Sequence, residues 1–264
     1  MSDIRRVEGD GVLTLTFTRD EKLNAVTEHM LQVIEEAVDD LSERDDLCVL
    51  VITAEGRYFT SGLDITTLSA DVGLGPDGIV RGSNLRRDYR AQARHDLWDR
   101  MEHIEKPVVL AAQGHCFGIG VEMGASCDFR LASDVATFAL PEVPNLAVIP
   151  GSGGISRLTR LVGPHWATWM AMAGERVSAR QAMDMGLVHA VYPVDDFTAA
   201  VSAFARRLAG YPREAMGMAK LAIGVAADVD RRTARDFDRV TQTVLFQSAE
   251  YRSKVDAFVN RSAR

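Results

Sequence analysis

The sequence predicts an α/β fold, with strands and helices alternating as stacked units over residues 1–194 and a helical region over 195–264. Three observations predict it. Short apolar stretches rich in β-branched residues punctuate the first two thirds, amphipathic helical spacing lies between them, and from Asp195 onward only helical periodicity remains. A chain of 264 residues can bury a sizeable core, and 47% hydrophobic with 25% charged residues is ordinary globular usage.

Taken in order, Leu13, Leu15 and Phe17 alternate with Thr14, Thr16 and Thr18, the period of a half-buried strand. Thr27 then serves as N-cap to a helix carrying Met30, Val33, Ile34, Ala37, Val38 and Leu41 on one face. Residues 47–53 (LCVLVIT) form a short continuous apolar run, as in strands covered on both faces, and 107–113 (PVVLAAQ) repeat the type. Between those strands, the first half of 63–106 holds Gly73, Gly75, Pro76, Gly78 and Gly82 and reads as a loop, the second half as a helix. Ser178 and Gln181 make an S-x-x-Q capping box and Gly186 a helix stop, bracketing a helix at 179–185 before a brief strand at 187–192. In the tail, Phe237, Val240, Val244 and Leu245 recur at helical spacing.

Several function classes are disfavoured. No apolar run approaches the ~20 residues of a membrane helix. Residues 1–10 mix charges without an apolar stretch, which makes the cytoplasm the simplest address. Cys48, Cys116 and Cys127 show no C-x-x-C spacing and read as reduced thiols, and the six histidines form no H-x-x-x-H pair, so no metal is expected. A net charge of −7 argues against broad nucleic-acid binding. It leaves room for the local run of Arg81, Arg86, Arg87, Arg90 and Arg94, which suits either a solvated helix face or contacts with an anionic ligand. From Gly118 the chain reads G-I-G-V-E-M, with Met123 where a dinucleotide fingerprint needs glycine, and Ser152 sits in P-G-S-G-G, with Pro150 where a nucleophile elbow needs glycine.

The chemistry-bearing segments are 56–65 (GRYFTSGLDI), 114–128 (GHCFGIGVEMGASCD) and 141–158 (PEVPNLAVIPGSGGISRL), each following a strand. Glycine there lets backbone approach a ligand, and amides at a helix start face outward with the positive end of the dipole behind them, which suits an oxyanion. Gly118 should open a helix with the Ile119 amide in its first turn and Glu122 about one turn on. A glutamate near a helix N-terminus has an ordinary stabilising role. Here, however, Val121, Met123, Ala125 and Cys127 surround Glu122 with apolar groups, and Glu142 sits between Leu140, Pro141 and Val143. A buried carboxylate needs a partner or carries a raised pKa suited to proton transfer.

In order and spacing the three segments resemble the enoyl-CoA hydratase/isomerase (crotonase) superfamily. That family usually shows A-x-x-A-G-x-D, then G-x-x-x-G-G-G-x-E, then P-E-x-x-x-G-x-x-P-G-x-G-G-x-x-R-L, with its two glutamates spaced as Glu122 and Glu142 are. Residues 19–26 (RDEKLNAV) and 178–187 (SARQAMDMGL) resemble two further family stretches, so the likeness spans nearly the whole chain. It implies a spiral of ββα units with a C-terminal helical region that packs between subunits, in a homotrimer or dimer of trimers. It also implies an acyl-CoA thioester as substrate, with coenzyme A entering as part of it and no permanently bound cofactor. Neither membrane nor nucleic acid is an expected partner.

Carried over by position, the amides of Leu63 and Ile119 would hold the thioester oxygen. Glu122 and Glu142 would activate a water for addition to a trans-2-enoyl-CoA, with Glu142 giving the C2 proton. Lys22, Leu23, Ala25, Ser61, Asp64, Ile65 and Arg261 would meet coenzyme A, and Gly118, Tyr89, Leu97 and Trp98 would line the acyl pocket. For Tyr89, Leu97 and Trp98, helix packing is an equal alternative, and Trp166 and Trp169 suit core or subunit interface. Two departures stand out. Ile119 occupies a position where the family has glycine, and Thr66 stands where a family lysine often meets the CoA nucleotide, leaving the 81–94 arginines or Arg261 to replace it. Two alternatives to hydration are double-bond isomerisation, which makes do with the second glutamate, and a non-catalytic acyl-CoA- or RNA-binding scaffold.

Overall fold

The computed structural model describes residues 3–66 and 89–262. The predicted glycine-bearing loop with Arg81, Arg86 and Arg87 lies outside the described residues, as do the side chains of Tyr89, Arg90 and Arg261.

β1 (Ile4–Gly9) and β2 (Val12–Phe17) form an antiparallel hairpin across Asp10 and Gly11, both at positive φ, which matches the twist of the strands they join. β1 was not legible as a strand. It is an edge whose Arg6 and Glu8 form ion pairs with each other and with Asp40 and Arg44, and such charges protect an edge from unwanted pairing. α1 (Glu28–Glu43) carries the chain to β3 (Val49–Ala54), and the Thr27 hydroxyl caps it by accepting from the Met30 amide at 3.2 Å.

From β3 the chain repeats a unit of two strands and a helix. β3 is followed by the short β4 (Tyr58–Thr60) and, beyond the undescribed stretch, α2 (Tyr89–His103). β5 (Val108–Ala112) is followed by β6 (His115–Phe117) and α3 (Ile119–Ala125). β7 (Phe129–Ser133) is followed by β8 (Thr137–Ala139) and α4 (Glu142–Leu146). Then come α5 (Gly154–Ala171), broken at Gly163 before Pro164, β9 (Val177–Ser178), α6 (Ala179–Asp184) and β10 (Ala190–Tyr192). Both halves of the Ser178–Gln181 capping box form at α6, and Gly186 takes positive φ just beyond it.

The longer strands build one sheet in the order β1-β2-β3-β5-β7-β10, parallel except for the first pair, and the short ones build a second in the order β4-β6-β8-β9. Each unit therefore turns a corner from the large sheet into the small one. The corners stack tightly: a side chain at Gly114 would collide with the Arg57 carbonyl at 1.9 Å. The large sheet is buried on both faces. Leu50, Ile52 and Leu110 join the main core with α1, while Val49, Val51, Val109 and Leu131 pack against Phe197, Val201, Ala205 and Leu208 of α7 (Val194–Ala209).

Three further helices follow: α8 (Arg213–Asp228), α9 (Arg231–Leu245) and α10 (Ala249–Ser262). Lys220 ties α8 to the core, its ammonium donating to the Met101 and Lys106 carbonyls and to Asp128 at 2.7, 3.2 and 2.8 Å. Among the described residues, no helix is long and apolar enough to cross a membrane.

Candidate active site

The site starts from an asparagine buried beneath two loops. Asn24 takes a left-handed conformation that asparagine tolerates, and its side chain donates to the Glu55 and Tyr58 carbonyls while accepting from the Arg19 amide. The Thr60 hydroxyl closes the knot on the Asn24 carbonyl at 2.7 Å. Arg19 reaches the buried Asp64 at 2.7 Å, and the Thr66 hydroxyl followed by Arg19 holds that carboxyl below its usual range. Segment 23–26 is thereby fixed beside segment 61–64.

That register aims one amide outward. The Val26 amide donates to Gly62 and the Asp64 amide to Val26, each at 2.9 Å, forming a single parallel bridge between Val26 and Leu63. In such a bridge the Leu63 amide points away from its partner segment. It has no acceptor among the described residues.

The second amide comes from α3. Gly118, at φ 54° and ψ −122°, bends the chain from β6 into the helix, in a conformation that L side chains rarely adopt. The next amide, Ile119, is a first-turn donor with no acceptor among the described residues. The two peptides lie together, since a Cβ on Gly118 would stand 3.5 Å from the Gly62 Cα. Ile119 itself is only 2% exposed and packs into the main core, so its side chain leaves the amide clear.

Two carboxylates flank this pair. Glu122, 3% exposed, accepts at one oxygen from the amides of Ser152 and Gly154, at 2.9 and 3.3 Å. The P-G-S-G-G stretch makes that possible: Gly153 takes positive φ, and a Cβ on Gly154 would sit 2.6 Å from Pro150 and 3.0 Å from the Glu122 carboxylate. Burial raises the Glu122 pKa, opposed by these two amides and by the charges of Arg94 and His95. Glu142 opens α4 with its Oε1 2.7 Å from where a Gly118 Cβ would stand, and its buried Oε2 has no hydrogen-bond partner among the described residues. Burial, with a contribution from the Glu122 charge, pushes Glu142 up to about 7. One carboxylate is therefore cradled by donors and the other is half-buried with one oxygen that meets no donor among the described residues.

Of the remaining candidates, Lys22, Leu23 and Ile65 are exposed, and Ala25 and Ser61 are half-buried. The Ser61 amide donates to the Leu23 carbonyl at 3.0 Å, so the two segments form one surface beside the outward amides. Asp64 turns inward to Arg19. Leu97 and Trp98 are buried in the main core, Trp166 packs partly against it, and Trp169 is exposed. Arg94 lies on no solvated face: it is 7% exposed, and its Nε donates to the Ser152 hydroxyl at 2.8 Å. The parts that sequence reasoning missed are Arg19, Asn24, Thr60 and the amides of Ser152 and Gly154. The first two lay within the 19–26 motif as unassigned letters.

Known proteins match this arrangement over almost its whole length. The family model described as enoyl-CoA hydratase/isomerase matches residues 8–263. A 2,3-dehydroadipyl-CoA hydratase of Escherichia coli K12 is 28% identical, covering 99% of this chain and 97% of its own. A 1,2-epoxyphenylacetyl-CoA isomerase of the same organism is 33% identical, over 94% and 92%. A solved enoyl-CoA hydratase subunit I from Geobacillus kaustophilus HTA426 superposes with a TM-score of 0.87 at 31% identity, covering 98% of this chain and 96% of that one. With the ββα spiral, the paired outward amides and the two glutamates in place, the chain belongs to the enoyl-CoA hydratase/isomerase family.

Proposed function

We propose that this protein hydrates a trans-2-enoyl-CoA thioester to a 3-hydroxyacyl-CoA. The observation that carries the reading is the unequal pair of glutamates, Glu122 buried and Glu142 half-buried, beside two outward amides. The thioester oxygen accepts from Leu63 and Ile119, and as water adds at C3 the charge that collects on that oxygen meets donors already in place. One such donor typically contributes ~2.7 to 4 kcal/mol of transition-state stabilisation. Glu122, with two amides favouring its ionised form, takes a proton from the water. Glu142, protonated through burial, gives its proton to C2. One proton enters the pair and one leaves it, so a transfer between the carboxyls, directly or through solvent, restores the starting state. Holding the water between them removes part of the entropic barrier.

The surface of Lys22, Leu23, Ala25, Ser61 and Ile65 takes the coenzyme A moiety, with Arg261 as a further contact. The helices after α7 assemble the chain as a homotrimer or a dimer of trimers in the cytoplasm. The same parts would serve a double-bond isomerase, and the family description, which names isomerase beside hydratase, keeps that activity as the second reading.

The test is loss of the conjugated enoyl-thioester absorbance across trans-2-enoyl-CoAs of graded length, for wild type, Glu122→Gln and Glu142→Gln. Fast loss in wild type and a fall of at least 10²-fold in each variant is the expected result. Turnover of a 3-enoyl-CoA without hydration would favour the isomerase, and tight CoA-thioester binding without either reaction a scaffold.

A further inference from the structure

The turn that cradles Glu122 is itself gripped from outside. On α2, Arg94 donates from Nε to the Ser152 hydroxyl at 2.8 Å, and the His95 ring meets the Gly151 carbonyl at 3.0 Å. One and two helical turns further, Asp99 and Glu102 hold Arg157, whose guanidinium lies directly under Gly153. Three successive residues of the turn, Gly151 to Gly153, are thus each in contact with α2 or with a side chain that α2 holds. The flanking amides of that same turn are the ones bonded to Glu122.

A buried guanidinium has to meet acceptors or counter-charges, and one group that Arg94 meets is the Ser152 hydroxyl of this turn. Arg94 is buried beside a carboxylate that the proposed reaction requires in its charged form. We propose that Arg94 is a positioning residue for Glu122: through the Ser152 hydroxyl it fixes the turn whose amides hold the carboxylate, and it sets a positive charge beside that turn. The proposal rests on the hydratase reading for its kinetic arm only. Among the described residues, the charged and titratable groups around Glu122 are Arg94 and His95 from α2 and Glu142 from α4, and Arg157 of α5 is paired to Asp99 and Glu102. Arg94 is the one among them that joins a fixed positive charge to a direct hold on the turn.

The experiment compares wild type, Arg94→Met, Arg94→Lys and Ser152→Ala in kcat, KM and the pH dependence of kcat. It also follows the Glu122 carboxyl by carbon-13 NMR of glutamate-labelled protein, assigned with Glu122→Gln. For Arg94→Met the expected result is a fall in kcat of about tenfold or more with KM within threefold, and an acidic limb displaced upward by about one pH unit. Arg94→Lys should recover most of the displacement, since it restores the charge. Ser152→Ala keeps the turn's amides and the Arg94 charge, so it should lower kcat with a smaller displacement; it also keeps the test informative if Arg94→Met folds poorly. An unmoved Glu122 titration in Arg94→Met, or a change confined to KM, would overturn the proposal. The NMR titration needs no turnover, so a protein that fails to hydrate enoyl-CoAs can still pass or fail here.

Discussion

At the scale of single residues, the site depends on contrast between two identical side chains. Because burial holds the Glu142 proton to about pH 7, donation to C2 should weaken as pH rises through that value, giving kcat a falling alkaline limb that Glu142→Gln removes along with activity. Stability carries the same signature. The folded pKa is raised above the unfolded one, so Glu142's contribution is fully present below about 4.5 and is lost as pH rises towards 7. Glu142→Gln should therefore raise the melting temperature by a few degrees at pH 8 and leave it nearly unchanged at pH 5. Gly118→Ala should fold with strain and lose about 10²-fold or more in kcat, because its methyl would enter the space of the Glu142 carboxylate and its φ is unfavourable for alanine. That Leu63, Ile119, Glu122 and Glu142 would lie together was legible in the sequence because motif spacing marks these positions. Arg94 was hidden in a charge run, since a list of arginines does not say which one turns inward. Ser152 misleads in the opposite direction: it sits in a near-nucleophile motif, and what it supplies to Glu122 is its main-chain amide.

Among the elements, those with a long period were legible. The helix capped by Thr27, the two apolar strands around residues 50 and 110, and the Ser178 box all form where the pattern puts them. The strands of the second sheet were not, because YFT, HCF and TFA are too short for alternation to register, and their existence depends on stacking between successive corners. α8 carries one side chain that reaches a half-buried counter-charge. Replacing Lys220 with Met would strand Asp128 without its cation beside two carbonyls that lose their donor. A loss of about 3 kcal/mol is expected, with α8 becoming cleavable by limited proteolysis before the sheet does.

For the molecule as a whole, Ile223, Val240, Val244, Phe246, Phe258 and Val259 leave large apolar surfaces exposed along α8, α9 and α10. Contiguous surfaces of that kind usually meet a partner. Light scattering should give a mass near three or six times 28.9 kDa, and Val240→Asp with Phe258→Asp should shift it towards the single chain while far-ultraviolet circular dichroism stays native. A monodisperse single chain for wild type would remove the trimer from the account. The sequence carried this expectation only through its family likeness, because apolar helical spacing reads the same whether a helix packs on its own core or on a neighbour.

In the proposed reaction the two donors that meet the substrate oxygen are main-chain groups, and at Ile119 the amide and the side chain face different neighbours. There the amide would answer to the thioester, while the isoleucine packs into the core. Residue identity at this position is thereby decoupled from the reaction, and a packing change there alters core volume without touching the electrostatics of the oxyanion. Position 118 has no such freedom, because its backbone angle and its lack of a side chain are both consumed by the site. Adjacent letters of one motif thus differ in how far they can drift: position 119 can be retuned for packing, while position 118 cannot change without the chemistry changing too.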